Sequence, residues 1–252
     1  MDATPDLRMR PASGEVKLYH LRYSLEALKR SAEALNPETY RRLRELLEYR
    51  LTGRAFEASP VGETVAVAFS GGVDSTAALR VMKAAGFGVR PIMARLPQLD
   101  DDTVRWGREE GAVMVEVPGY EEAMEDLIGR RAPVCGRCHS MVMKAVEERA
   151  RELGMGVLVT GDMLSFGLIS IYEKDGLVIL NLPAFLALDK GELIEIAGVD
   201  YRPIFGCPLL WRAFRSAPGI KKFSIERILR ELRAGAITPD IAAKLIEDVL
   251  SR

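Results

Sequence analysis

The chain has 252 residues, 48% hydrophobic, 28% charged and 7% aromatic, with a formal net charge of -1. That composition describes a soluble globular protein with one sizeable α/β core plus extensions, and no apolar run is long enough to span a bilayer. Three cysteines, an odd number, argue against a disulfide framework and fit a reducing compartment; with no apolar leader after a basic start, we expect a cytoplasmic protein with thiols available to metal.

The near-zero charge hides an uneven distribution. Residues 8 to 54 carry 11 Lys and Arg against 6 Asp and Glu, residues 55 to 210 carry 15 against 23, and residues 211 to 234 carry 7 against 2. Basic flanks around an acidic middle are either solvated helix faces or surfaces for a polyanion such as RNA, and charge alone does not separate the two.

Along the chain, residues 1 to 16 contain Pro5, Pro11 and Gly14 with little periodicity and predict a poorly ordered start. Apolar spacing predicts a helix over 18–35, and Asn36-Pro37-Glu38 caps a second that runs to about Leu51. Residues 55 to 63 read as a linker. Strand and helix patterns then alternate: strands over 65–69, 89–94, 113–117 and 157–160, helices over 75–85, 101–110 and 138–153. The alternation predicts a doubly wound parallel sheet, a Rossmann-like α/β fold. Strands over 168–172 and 177–180 flank Glu173-Lys174-Asp175-Gly176 as a hairpin, a helix follows over 189–197, and two more close the chain after Pro218-Gly219, the last capped by Thr238-Pro239. The expected organisation is a helical extension over 1–60, a nucleotide domain over 61–217 and a helical extension over 218–252.

The loop SGGVDST, Ser70 to Thr76, joins the first strand to a helix N-terminus. Gly71 and Gly72 allow a tight turn that brings backbone N–H groups near a ligand, and the hydroxyls of Ser70, Ser75 and Thr76 add donors. Such a loop suits phosphate. It is neither GxxxxGK[ST] nor GxGxxG. A carboxylate at Asp74 beside phosphates either works through a cation or braces the loop. A second stretch, Cys135-Gly136-Arg137-Cys138-His139, places two thiols where they can share a metal, and Phe205-Gly206-Cys207-Pro208 supplies the third. The residues alone leave several readings open: a haem attachment string, zinc held with His139, a redox pair, inert buried thiols, or an iron-sulfur cluster with one iron lacking a protein ligand.

SGGVDST after a buried strand resembles the PP-loop of the ATP pyrophosphatase superfamily, whose fold is adenine nucleotide alpha hydrolase-like. The resemblance implies that Ser70, Gly71, Gly72, Val73, Ser75 and Thr76 hold the β- and γ-phosphates of ATP, that Asp74 serves Mg²⁺ or the loop, and that Met93, at the end of the second strand, lies by the adenine. A PP-loop followed by CxxC and one later cysteine further resembles the iron-sulfur-dependent tRNA thiolation enzymes, makers of 2-thiouridine or 2-thiocytidine. That resemblance spans about residues 62 to 210 and includes Val159-Thr160-Gly161-Asp162 and, in part, Leu182 to Lys190. It implies a [4Fe-4S] cluster on Cys135, Cys138 and Cys207, Gly161 at the nucleotide, and Asp162 positioning Mg²⁺ or the acceptor. It also implies Lys190 at a phosphate, a sulfide or persulfide donor, tRNA as acceptor, and compatibility with a homodimer. The chain departs from the pattern at Asp162, where many relatives carry histidine or glutamate, and in its flanks, which hold no further cysteine pair.

Overall fold

The computed structural model describes residues 7 to 163 and 169 to 252. Two helices come first, α1 (Glu15–Arg30) and α2 (Pro37–Thr52), and the Asn36 side chain accepts from the Glu38 N–H to start the second. The α/β body follows as β1 (Thr64–Ala68), α3 (Val73–Ala84), β2 (Gly88–Arg95), α4 (Asp101–Glu109), β3 (Val113–Glu116), α5 (Tyr120–Gly129), α6 (Cys135–Glu152) and β4 (Val157–Thr160). The remainder is β5 (Ile171–Lys174), β6 (Leu177–Asn181), α7 (Leu182–Phe185), α8 (Lys190–Ala197), α9 (Pro208–Ser216), α10 (Lys221–Arg233) and α11 (Pro239–Ser251).

The six described strands form one sheet in the order β3-β2-β1-β4-β6-β5, parallel throughout except for β5 against β6. The fold is a Rossmann-like doubly wound α/β architecture, as the alternation predicts. Strand parity explains why helices cover both faces: Val65 and Val67 of β1 enter the larger core under α3, while Ala66, Ile92, Leu158 and Ile179 form a second core against Val146 and Ala150 of α6. Among the described residues no helix is long and apolar enough to cross a membrane.

The N-terminal helices are fastened to the body by buried cations. Arg42, fully enclosed, donates to the Ala85 carbonyl and to Ser59 Oγ at 3.1 Å. Arg50, equally enclosed, donates to the Leu186 carbonyl at 2.9 Å and to Glu192 Oε1 at 2.8 Å. Burying a guanidinium costs several kcal/mol unless each N–H is met, and here carbonyls and a carboxylate meet them.

Several sequence expectations need correction. Residues 7 onward are not loose: Leu7 and Met9 are buried, Tyr49 donates to the Met9 carbonyl at 2.7 Å, and the Ala12 N–H reaches the Arg50 carbonyl at 2.7 Å. Only Met1 to Asp6 of the predicted loose start lie outside the described residues. Helix α1 stops at Arg30, giving way to a 3-10 turn over Ala32–Ala34. The hairpin turn is just Asp175 and Gly176, both at positive φ, the backbone of a type I′ turn. Its first strand starts at Ile171, and Leu168 lies outside the described residues. Helices α5, α7 and α9 were not expected, and α6 begins at Cys135 rather than Cys138. This last shift places the whole CxxC within one helical turn.

Candidate active site

The chain leaves β1 and turns at Ser70-Gly71-Gly72 before α3. Gly71 sits at φ +72°, and a Cβ there would stand 2.7 Å from Thr103 Cγ2, so a close approach and a left-handed backbone both demand glycine. The hydroxyls already have work. Ser75 Oγ donates to the Gly72 carbonyl at 3.0 Å and accepts from the Ser70 N–H at 3.2 Å, while Thr76 Oγ1 donates to the same carbonyl at 2.9 Å. Ser75 and Thr76 are buried, so Thr76 braces the loop from behind.

Asp74 is held by Lys190, whose Nζ lies 2.6 Å from its Oδ1. Lys190 is the first residue of α8, and Asp189 caps that helix by accepting from the Glu192 N–H at 2.9 Å. Lys17 of α1 contacts both acids, 2.6 Å from Asp189 and 2.8 Å from Glu192. Burial alone would raise the Asp189 carboxyl, but the hydrogen bond and charge of Lys17 and the Glu192 N–H outweigh it and hold it below its ordinary value. Two ion-pair groups, Lys17 with Asp189 and Glu192, and Lys190 with Asp74, therefore meet at the start of α8 and tie the N-terminal helices to the loop.

On the other side stands the end of β4. A Cβ on Gly161 would lie 2.8 Å from the Ser75 nitrogen, so only glycine lets this strand end press on the start of α3. Between the ends of β1 and β4 opens a cleft of about 230 Å³, lined by Ser70, Asp74, Ser75, Ile92, Ala94, Gly161 and Asp162 among others. This is where successive crossovers leave in opposite directions along the sheet, the usual place for a ligand in an open α/β fold. Gly71, Gly72 and Val73 line a shallower hollow on the far side of the loop, with Trp106, Tyr201 and Arg202. The Met93 side chain is fully buried and packs under α4, where a Cβ on Gly107 would meet it; its neighbours Ile92 and Ala94 face the cleft.

The three cysteines gather at two helix starts. Cys135 and Cys138 occupy the first turn of α6, and Cys207 is the N-cap of α9. Cys135 opens onto a cavity of about 390 Å³ bounded by α6, α9 and α10. Cys135 is exposed at that cavity, yet desolvation by the surrounding protein pushes the thiol up to about 11; nearby Cys207 and Cys138 add to the rise and Arg227 opposes it. Burial raises Cys138 too, against the hydrogen bond from Tyr120, whose hydroxyl stands 3.0 Å from the sulfur and accepts from Gln98 Nε2 at 2.6 Å. The thiols thus lie within reach of one another's charge. Among the described residues no set of three or more His, Cys, Asp or Glu is drawn close enough to hold a single metal ion. Thiolates are soft donors of the kind that hold soft metals and iron-sulfur clusters, and Asp162 and His139 line the cavity beside Cys135.

His139 and Asp162 line both the cleft and the thiol cavity, with His139 Nε2 4.0 Å from Asp162 Oδ2. The two hollows adjoin there. Sequence reasoning left His139 out of the site and missed Tyr120, whose one signal was its place just beyond the end of β3.

No family model matches the chain. It is 30% identical over 250 residues to uncharacterized protein MJ1638 of Methanocaldococcus jannaschii, a match covering 94% of this chain and 95% of that protein. Uncharacterized protein MJ1599 of the same organism is 28% identical over 202 residues, 72% of this chain and 71% of the other. A probable tRNA sulfurtransferase of Thermococcus kodakarensis is 26% identical over 165 residues, 57% of this chain and 43% of that protein.

Proposed function

The chain belongs to the family of the Methanocaldococcus jannaschii protein MJ1638, and we propose that it is an ATP-dependent sulfurtransferase of the PP-loop type. One observation carries the reading. A glycine-hydroxyl loop suited to phosphate and Cys135, which lies within reach of the charge of Cys138 and Cys207, open onto adjoining hollows that share His139 and Asp162. The likeness of more than half the chain to a probable tRNA sulfurtransferase supports the same reading and makes a tRNA base the first acceptor to test.

In this scheme the loop N–H groups with Ser70 and Ser75 receive the β- and γ-phosphates at the start of α3. Asp74 and Asp162 are the carboxylates at the cleft that would hold Mg²⁺, which spreads the charge of the departing pyrophosphate. Lys190 leaves Asp74 for a phosphate oxygen, so a half-buried ion pair is exchanged for another instead of lost. The acceptor's carbonyl oxygen attacks the α-phosphorus and pyrophosphate departs. A sulfur nucleophile then adds to the activated carbon, AMP leaves with the oxygen, and a thiocarbonyl remains. Cys135, Cys138 and Cys207 would hold a [4Fe-4S] cluster, which when bound supplies an open iron for sulfide. Asp162, between the hollows, orients the acceptor toward the α-phosphate.

The test is anaerobic purification followed by iron, acid-labile sulfide and zinc analysis, with pyrophosphate release measured on ATP, sulfide and unmodified tRNA. Iron and sulfide at about four each per chain, as a cubane requires, with AMP formed only when acceptor is present, is the expected result. Zinc without iron would replace this reading with a PP-loop ligase that uses ammonia and a structural metal.

A further inference from the structure

The thiol cavity has a wall that the nucleotide fold does not supply. Its outer side is built by the segment after α8: Phe205, then Leu210 of α9, then Phe223, Arg227 and Arg230 of α10. Two aromatic rings and two guanidinium groups around about 390 Å³ make a pocket of the size and polarity that small ligands occupy. Arg227 already lies over the Phe205 ring at 5.9 Å, so cation and ring share one surface.

Helix α10 does not follow the simple amphipathic pattern. Burying Phe223 and Leu229 with Ile228 would satisfy an inward face, yet Phe223 is 44% exposed and Leu229 42%. Both line a further hollow on the outside of the helix together with Arg230, Arg233 and one carboxylate, Glu226, and Phe223 and Arg230 border this hollow and the thiol cavity alike. Lys222 stands 4.9 Å over the Phe223 ring. A strip in which rings and cations outnumber the single carboxylate of Glu226 therefore runs from Cys135 outward along α10.

We propose that the cavity walled by Phe205, Phe223, Arg227 and Arg230 is the acceptor site, and that it takes an unpaired nucleotide. The ring stacks on Phe223 and the adjoining phosphates run along Arg230 and Arg233. The identification of the cavity as an acceptor site rests on the sulfurtransferase reading; the binding of a nucleotide does not. Stacking suits any base because every base has a π-face, while a paired base cannot reach a cavity lined on its inner side by Cys135, His139 and Asp162. The strip beyond the cavity favours a nucleotide within an RNA strand over a free one.

The experiment uses the full chain and a labelled single-stranded uridine-rich RNA of about a dozen nucleotides, the span of one or two such sites. Its affinity is followed by fluorescence anisotropy across a salt series, beside a duplex of the same sequence, uridine monophosphate by calorimetry, and ATP by calorimetry on the same samples. Single-stranded RNA should bind well ahead of duplex. Phe223→Ala should weaken it about tenfold, the scale of one lost base stack, and Arg230→Ala should flatten the salt slope by about 0.7. Both positions are exposed, so thermal midpoints should hold. Uridine monophosphate bound as tightly as RNA, and equally sensitive to Phe223→Ala, would support the pocket and assign it to free nucleotides. RNA binding unchanged in both variants, or no preference over duplex, overturns the proposal. Loss of ATP binding with the RNA results intact overturns the sulfurtransferase reading and leaves the nucleotide pocket standing.

Discussion

The two ends of the cleft are prepared in opposite ways. At the glycine loop the hydroxyls of Ser70, Ser75 and Thr76 are engaged, Asp74 is paired with Lys190, and the adjacent Asp189 is paired with Lys17 of α1. At the thiol end Tyr120 is hydrogen-bonded to Cys138, and burial together with neighbouring thiols pushes Cys135 and Cys138 away from the thiolate form. A loop whose polar groups are satisfied keeps its shape without a ligand. A crowd of desolvated thiols instead gains most from a group that brings positive charge, because binding then relieves burial and mutual repulsion together.

That contrast can be broken most forcefully at the thiols. Replacing Cys135, Cys138 or Cys207 with alanine should abolish iron retention and sulfur transfer while ATP binding survives, measured by metal analysis and calorimetry. Iron kept in all three variants would show that the thiols play no part in holding it.

The braced end should answer first in stability. Arg50→Met leaves Glu192 and the Leu186 carbonyl without their buried donor and should cost about 3 kcal/mol in urea unfolding. Because Glu192 belongs to the cap of α8, the same change should also weaken ATP binding. Unaltered stability would mean that these ion pairs are ornamental.

Gly161→Ala drives a methyl group toward the Ser75 nitrogen and should cost about 1–3 kcal/mol, the range for an overpacked site, with ATP affinity reduced and iron retention intact. Equal loss at both ends would erase the distinction between them.

The smallest effect is also the most specific. Asp189 has a lowered carboxyl pKa, so its pairing stabilises the fold above its ordinary value of 3.8 and is lost as pH falls through the lower folded value. Lys17→Met should therefore lower the melting temperature near neutral pH by an amount equivalent to ~1 kcal/mol or less, and the gap from wild type should close below about pH 4. A gap that stays constant down to pH 3 would assign the effect to packing of the lysine stem.

The sheet and the glycine loop were legible because strand runs of β-branched residues and a loop at a strand end are local signals. Helices α5 and α9 were not. Both are short, ten and nine residues, and α9 lies in a stretch whose arginines and aromatics invite a reading by charge; its Pro208 at the first helical position, after Cys207, was the available signal. Tyr120 meets Cys138 only through the packing of α5 on α6, which no spacing along the chain encodes. Residues 7 to 13 lack periodicity because they pack as an extended segment, held by Tyr49 and Arg50 from α2. Strand parity turns the Met93 side chain under α4, which leaves the backbone of that strand end as the part that a base edge at the cleft would meet.

The strand order carries a consequence for how the molecule assembles. Thr64 faces Gly88 across β1 and β2, partners joined by a single helix, whereas Ala66 faces Leu158, which arrives only after most of the body has been threaded. Short loops close at lower entropic cost than long ones, so the β1-β2-β3 half can form early and the β1-β4 seam is a late event. The cleft lies on that seam, with Gly161 pressed against α3 across it. A ligand bridging the seam thus fastens the last joint of folding, and at a hundredfold excess over its Kd it would add about 2.7 kcal/mol to the stability of the whole chain.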